Sequence, residues 1–141
     1  MSTTSSVLEK KGIMNRERAF KVVLVLVGLL FSAAIYPLVT TVRSELQPNN
    51  ENALPMMLSL YVTLGVFLLL AARSPSANRS VIAFAAWSSF AHASVMVVMS
   101  IQLSNERAEL LIAAAALSII GALLIVLAPR KQAAEGEHAA A

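Results

Sequence analysis

Residues 110–127 read LLIAAAALSIIGALLIVL, eighteen consecutive positions without a charged side chain. As a helix such a run is about 27 Å long, close to the hydrocarbon thickness of a bilayer. Lipid offers the backbone no hydrogen-bond partners, so the segment must satisfy its own amides, which a helix does within one stretch of chain. Ala114, Ser118 and Ala122 recur every four residues with Gly121 beside them, a small-residue stripe that lets a second helix approach closely. Glu109 opens the run at the favourable end of the helix dipole, and Pro129-Arg130-Lys131 closes it.

Three further apolar runs lie upstream, over residues 22–42, 56–72 and 81–103. The chain is 57% hydrophobic and only 13% charged, with a mean hydropathy of +0.72, where soluble domains carry about 25% charged residues. The fold class expected is therefore all-α, an integral membrane antiparallel four-helix bundle over residues 15–130. Residues 1–14, with a Ser/Thr-rich start, read as a disordered cytoplasmic tail and residues 131–141 as a polar C-terminal tail.

Asn15 is a possible N-cap for the first span, which Arg16, Arg18 and Lys21 introduce. Ser32-Ala33-Ala34 imitates a signal-peptide cleavage site, but the apolar run continues well past it, so a spanning helix is expected instead. Pro37 should kink this helix and free the carbonyl of Ala33, and Tyr36 beside it suits an interfacial anchor. Residues 43–52, with Pro48-Asn49-Asn50, form a loop; Pro55 suits the first turn of the second span, whose Tyr61, Thr63 and Gly65 make one side small and polar. The short basic turn 73–80 holds Pro75 and makes the second and third spans antiparallel neighbours. Asn78-Arg79-Ser80 matches a glycosylation sequon, but helix capping by Asn78 or Ser80 is the better reading.

Nine Lys and Arg (Lys10, Lys11, Arg16, Arg18, Lys21, Arg73, Arg79, Arg130 and Lys131) fall on the side of the termini, against Arg43 and Arg107 on the other. The positive-inside rule then puts both N and C termini in the cytoplasm. The net charge of +3 comes from residues that flank apolar runs and make no patch with stacking aromatics, so nucleic acid is not an expected partner. The partners expected are the lipid bilayer and either other membrane subunits or further copies of this chain.

Chemistry is confined to the third span. Ala85, Ser89 and Ala93 form its small-residue stripe, and His92 lies near its middle, where an ionisable side chain is costly unless it faces protein or water. Ser88 and Ser89 can bond the imidazole or a carbonyl one turn back, and Trp87 is deep enough that its indole N–H is expected to find a partner inside the bundle. His92, Ser88, Ser89, Trp87 and, from the second span, Tyr61 therefore form the candidate ligand-binding or buried polar set.

Residues 16–38, then 58–73, then Trp87-Ser88-Ser89-Phe90-Ala91-His92 resemble a family of small uncharacterised bacterial four-helix membrane proteins, distantly DoxX-like. The likeness covers about residues 14–130, and its more specific pieces are Tyr61-Val62-Thr63-Leu64-Gly65 and the Trp-Ser-Ser-x-x-His motif. It implies the four-helix fold and a bacterial inner-membrane location, with no activity to carry over; the DoxX-like link suggests proximity to quinone or respiratory chemistry. Before the fourth span the family tends towards His, Gly and Asp, whereas this chain has Ser104-Asn105-Glu106-Arg107-Ala108-Glu109.

Several activities lack their residues. All eight acidic residues are Glu outside or at the ends of the apolar runs, so the intramembrane carboxylate of a small multidrug transporter is missing. There is no membrane-buried Lys for a retinal Schiff base, no cysteine chemistry, and no acid to orient a Ser–His pair, so no catalytic residue is expected. His92 is the one His in a span, His138 lying in the tail, which leaves haem without a second imidazole from the same chain. His92, Met96 and Met99 share a helical face, with Met56 and Met57 near the same outer side, and could hold Cu(I), although Met is more often a packing residue. No cofactor is predicted; quinone and haem stay open as minor alternatives. Three functions follow: a non-catalytic accessory or scaffold subunit or homo-oligomer with a buried network around His92, a redox-associated protein binding quinone or haem there, or a pore or carrier formed by oligomerisation. A closed network at His92 favours the first, a lipid-open cleft the second and a wet passage the third.

Overall fold

The computed structural model describes residues 3–44 and 53–128, so the expected turn at Pro48-Asn49-Asn50 and the C-terminal tail lie outside the described residues. Five helices follow in order: α1 Thr3–Ser32, α2 Ile35–Ser44, α3 Ala53–Ala71, α4 Arg79–Gln102 and α5 Arg107–Leu127. No strand occurs among the described residues. Among them, four stretches are long and apolar enough to cross a membrane: Met14–Arg43, Ala53–Ala71, Arg79–Gln102 and Arg107–Leu127. The protein is all-α, as its hydropathy dictates.

The first span is broken into α1 and α2 at Ala33-Ala34. Pro37 has no N–H to give the carbonyl of Ala33, and that oxygen instead accepts the Tyr36 N–H at 3.2 Å, while Ala34 N–H donates to Phe31 at 3.2 Å. The freed carbonyl is thus recovered by a tighter turn. At the other end, helix from Thr3 replaces the disordered tail expected over residues 1–14. Extending a helix that is already nucleated costs far less than starting one, and the segment before Met14 contains no Pro.

Phe20, Leu24, Val27 and Phe31 follow one another along a single face of α1 and meet Leu68 and Ala71 of α3, Ile82, Ala85 and Ala86 of α4, and Leu124 of α5. That cluster is the core. The outward faces carry Val22, Leu26, Ile112 and Ile119, all more than half exposed, as lipid-facing positions should be. In lipid, helices are held together by close packing more than by apolar burial. Two seams supply it. A Cβ on Gly65 would stand 2.5 Å from the Ser32 backbone nitrogen and 2.8 Å from the Gly28 carbonyl, so α3 lies directly against α1. A Cβ on Gly121 would meet the Ala86 carbonyl and the Phe90 ring at 3.0 Å, so α5 lies directly against α4.

The four-residue stripe is buried whole on α4 but not on α5. Ala85, Ser89 and Ala93 are buried on α4, as are Ala114, Gly121 and Leu124 on α5, and Ser118 is half-buried. Ala122, expected on that face, is exposed, because seven residues after Ala114 the helix has returned to the seam and eight residues after it has passed it.

Two arginines finish neighbouring helices. Arg16 Nη2 donates to the Val126 carbonyl at 2.7 Å, tying the start of the first span to the last turn of α5. Arg107 Nε donates to the Ser100 carbonyl at 3.0 Å, across the α4–α5 turn. Both satisfy carbonyls left open at a helix C-terminus. Contrary to expectation, the Asn78 side chain does not cap α4; its amide donates back to Ser74 at 2.9 Å and tightens the turn.

Candidate functional site

Tyr61 and His92 come together in the middle of the bundle. Their rings meet edge to face, 5.5 Å between centroids at 82°, and the buried Phe31 packs on Tyr61 in the same manner at 5.1 Å and 77°. The series Phe31–Tyr61–His92 therefore links α1, α3 and α4. It is placed by the glycine contact one turn away, since Gly65 brings α3 against α1. His92 is the fourteenth of 24 residues in α4 and Tyr61 the ninth of 19 in α3, so both sit near half depth of their spans.

Beside this pair a groove of about 610 Å³ runs between α3 and α4. Met57, Leu60, Tyr61, Leu64 and Phe67 form one wall, with Thr63, and Ser80, Val81, Phe84, Ser88 and His92 form the other. From Ser80 to His92 it follows about 18 Å of α4. Leu60, Phe67 and Phe84 are each more than half exposed, so the groove is open sideways to the membrane.

The hydroxyls do not form a network with His92. Ser88 and Ser89 both donate to the Ala85 carbonyl, at 3.1 and 2.8 Å, while Thr63 donates to Ser59 at 2.9 Å. Ser94, Ser100 and Ser118 likewise bond their own helices. In an apolar medium, the nearest carbonyl one turn back is the cheapest partner for a short hydroxyl. Ser88 faces the groove; Ser89 is buried on the packed side. Among the described residues, neither the Tyr61 hydroxyl nor a His92 ring nitrogen makes a hydrogen bond, and both residues line the groove.

Trp87 is not part of this set. It is 66% exposed and packs on Phe90 with centroids 5.9 Å apart, facing away from the bundle instead of finding the interior partner expected for its N–H. Five residues separate it from His92, well over a full turn, which turns the two side chains to different sides. Met99 is 40% exposed and Met96 half-buried, and among the described residues no three His, Cys, Asp or Glu side chains gather where a metal ion would sit. Met57 reaches the groove, whereas Met56 is 68% exposed.

Phe31, Phe67 and Phe84 were not singled out from the sequence, nor was Gly28. A glycine inside an apolar span is a packing signal, and Gly28 stands between Leu24 and Phe31 on the α1 core face. The aromatic walls carry no such mark, because Phe in a spanning helix reads equally as lipid-facing.

No curated protein and no solved structure matches the chain. The sequence model of one family matches residues 16–138, nearly all of the described spans, and with it the groove and both glycine seams: the chain belongs to a family of unknown function (DUF6632).

Proposed function

We propose that this protein is a non-catalytic, multi-pass membrane protein that binds a neutral membrane-dissolved molecule in the α3–α4 groove. The ligand class is one with a carbonyl- or hydroxyl-bearing head on an apolar body, of which a quinone is the type. The observation that carries the reading is the combination of a lipid-open apolar groove with two polar side chains, Tyr61 and His92, that have no hydrogen-bond partner among the described residues, at its deep end. Binding sites of this sort are mostly apolar, occupy about 300–1,000 Å³, and orient their ligand with few polar groups. Quinone oxygens accept hydrogen bonds, and an imidazole N–H and a phenol O–H supply them. A haem is less well served, with one imidazole in the groove. This favours the lipid-open cleft over a closed network or a wet passage. The protein acts as a binding or accessory subunit in a bacterial inner membrane, with both termini cytoplasmic, on the strength of its Lys/Arg distribution.

The test is thermal unfolding of the purified full-length protein in detergent, with and without a short-chain benzoquinone. A saturating ligand at 100 times its Kd adds about 2.7 kcal/mol of stability. The wild type is expected to show a quinone-dependent rise in Tm, with Tyr61→Phe and His92→Leu each losing most of it. A wild type indifferent to quinone, or variants that keep the full rise, would overturn this reading.

A further inference from the structure

The end of the bundle that holds the α3–α4 turn is strongly basic. Among the described residues it carries Lys10, Lys11, Arg16, Arg18, Lys21, Arg73 and Arg79 against two acids, Glu9 and Glu17, of which Glu17 is already paired with Lys21 at 2.9 Å. Among the described residues the opposite end has Arg43 and Arg107 against Glu106 and Glu109, and the sequence adds Glu45 and Glu51 to the connection there, so the positive charge is confined to one end. Within the basic end, Arg16 is engaged by the α5 carbonyl, whereas Arg73 and Arg79 are exposed and make no ion pair among the described residues.

These two bracket a fixed turn. Arg73 N–H bonds Leu70, Ser74 N–H bonds Ala71, Ala77 N–H bonds Ser74, and Asn78 N–H bonds Pro75, with Pro75 itself buried. Two guanidinium groups are thereby carried on a rigid segment at the boundary between lipid and water. A guanidinium presents a planar fork matched to phosphate oxygens. Directly along α3 from Arg73, Leu70 and Val66 are about half exposed, an apolar flank that continues from the charged turn into the hydrocarbon.

We propose that this turn binds the phosphate headgroup of an anionic phospholipid, with Arg73 and Arg79 on the headgroup and the acyl chains along Leu70 and Val66. The apolar flank is the reason to choose a lipid over a free phosphate, and the excess positive charge the reason to choose an anionic one. The site is separate from the groove's Tyr61 and His92 and does not depend on what the groove binds.

Native mass spectrometry of the full chain, titrated with equal phosphatidylglycerol and phosphatidylcholine, tests it. The wild type is expected to retain phosphatidylglycerol in roughly tenfold preference. The Arg73→Gln/Arg79→Gln variant should bring the two lipids to parity, Arg73→Lys/Arg79→Lys should keep part of the preference, and Arg18→Gln and His92→Leu should leave it intact. Equal retention by the wild type would overturn the proposal. So would an unchanged double Gln variant, a loss as large in Arg18→Gln, or displacement of the lipid by millimolar inorganic phosphate.

Discussion

Helix α4 has two neighbours in its plane and meets them in opposite ways. Against α5 it is closed: Gly121 admits the Ala86 carbonyl and the Phe90 ring, and Ala93 and Ala114 are buried. Against α3, to which a short turn ties it, it leaves a groove of about 610 Å³ walled by Leu60, Phe67 and Phe84. Sequence adjacency therefore does not decide which helices pack. The size of the side chains at the seam does, because in lipid association rests on how closely backbones approach. The seams that lack a Cβ are closed, and the one with bulky walls stays open.

The sharpest way to break this comparison is to add a methyl where backbones touch. Gly65→Ala places a Cβ 2.5 Å from the Ser32 nitrogen, a backbone atom that cannot swing aside. Overpacking of this kind costs about 1–3 kcal/mol, to be read from chemical unfolding in detergent. At Gly28 the new methyl would meet the Leu69 side chain at 2.8 Å and its nearest backbone atom, the Gly65 carbonyl oxygen, only at 3.1 Å, so the loss there is smaller. A Gly65→Ala protein as stable as the wild type would mean that α1 and α3 are not in contact at this point.

The next comparison puts one bulky residue into each kind of seam. Ala93 is 4% exposed on the packed face of α4, and Ala93→Phe is expected to lose about 1–3 kcal/mol. Ser88 lines the groove, so Ser88→Phe has room for its ring and should stay within about 0.5 kcal/mol of wild type while removing quinone binding. Equal destabilisation by the two substitutions would show the α3–α4 seam to be as full as the α4–α5 seam.

The spans were legible because a charge-free apolar run of bilayer length suits lipid far better than water. Their ends were less so: α3 begins at Ala53 and not Met56, and the first span breaks at Ala33-Ala34, four residues before the Pro37 that causes it. Within the site, His92 and Tyr61 were identifiable as polar groups at membrane depth, and the structure brings them together. What was not legible is rotation about each helix axis. Trp87 belongs to the same short motif as His92 yet faces outward, and Ala122 gives way to Gly121, because these outcomes depend on where neighbouring helices lie. Hydropathy cannot supply that angle when both sides of a span are apolar. Gly28, Gly65 and Gly121 can, since each marks a line of contact.

The smallest expected effect concerns Trp87, the chain's one tryptophan. If its outward face contributes only to lipid contact, Trp87→Leu exchanges one lipid-facing apolar surface for another and loses a ring contact with Phe90 at 5.9 Å. Aromatic pairs of this sort are worth about 0.5–1.5 kcal/mol when packed, and less where one ring is 66% exposed, so stability should change by under about 0.5 kcal/mol. Quinone binding should be unaffected, since Trp87 is not among the groove's walls. A loss of stability that appears in native membranes but not in detergent would place Trp87 in a contact with another membrane chain. Its indole N–H, which has no partner among the described residues, would then be the group that contact satisfies.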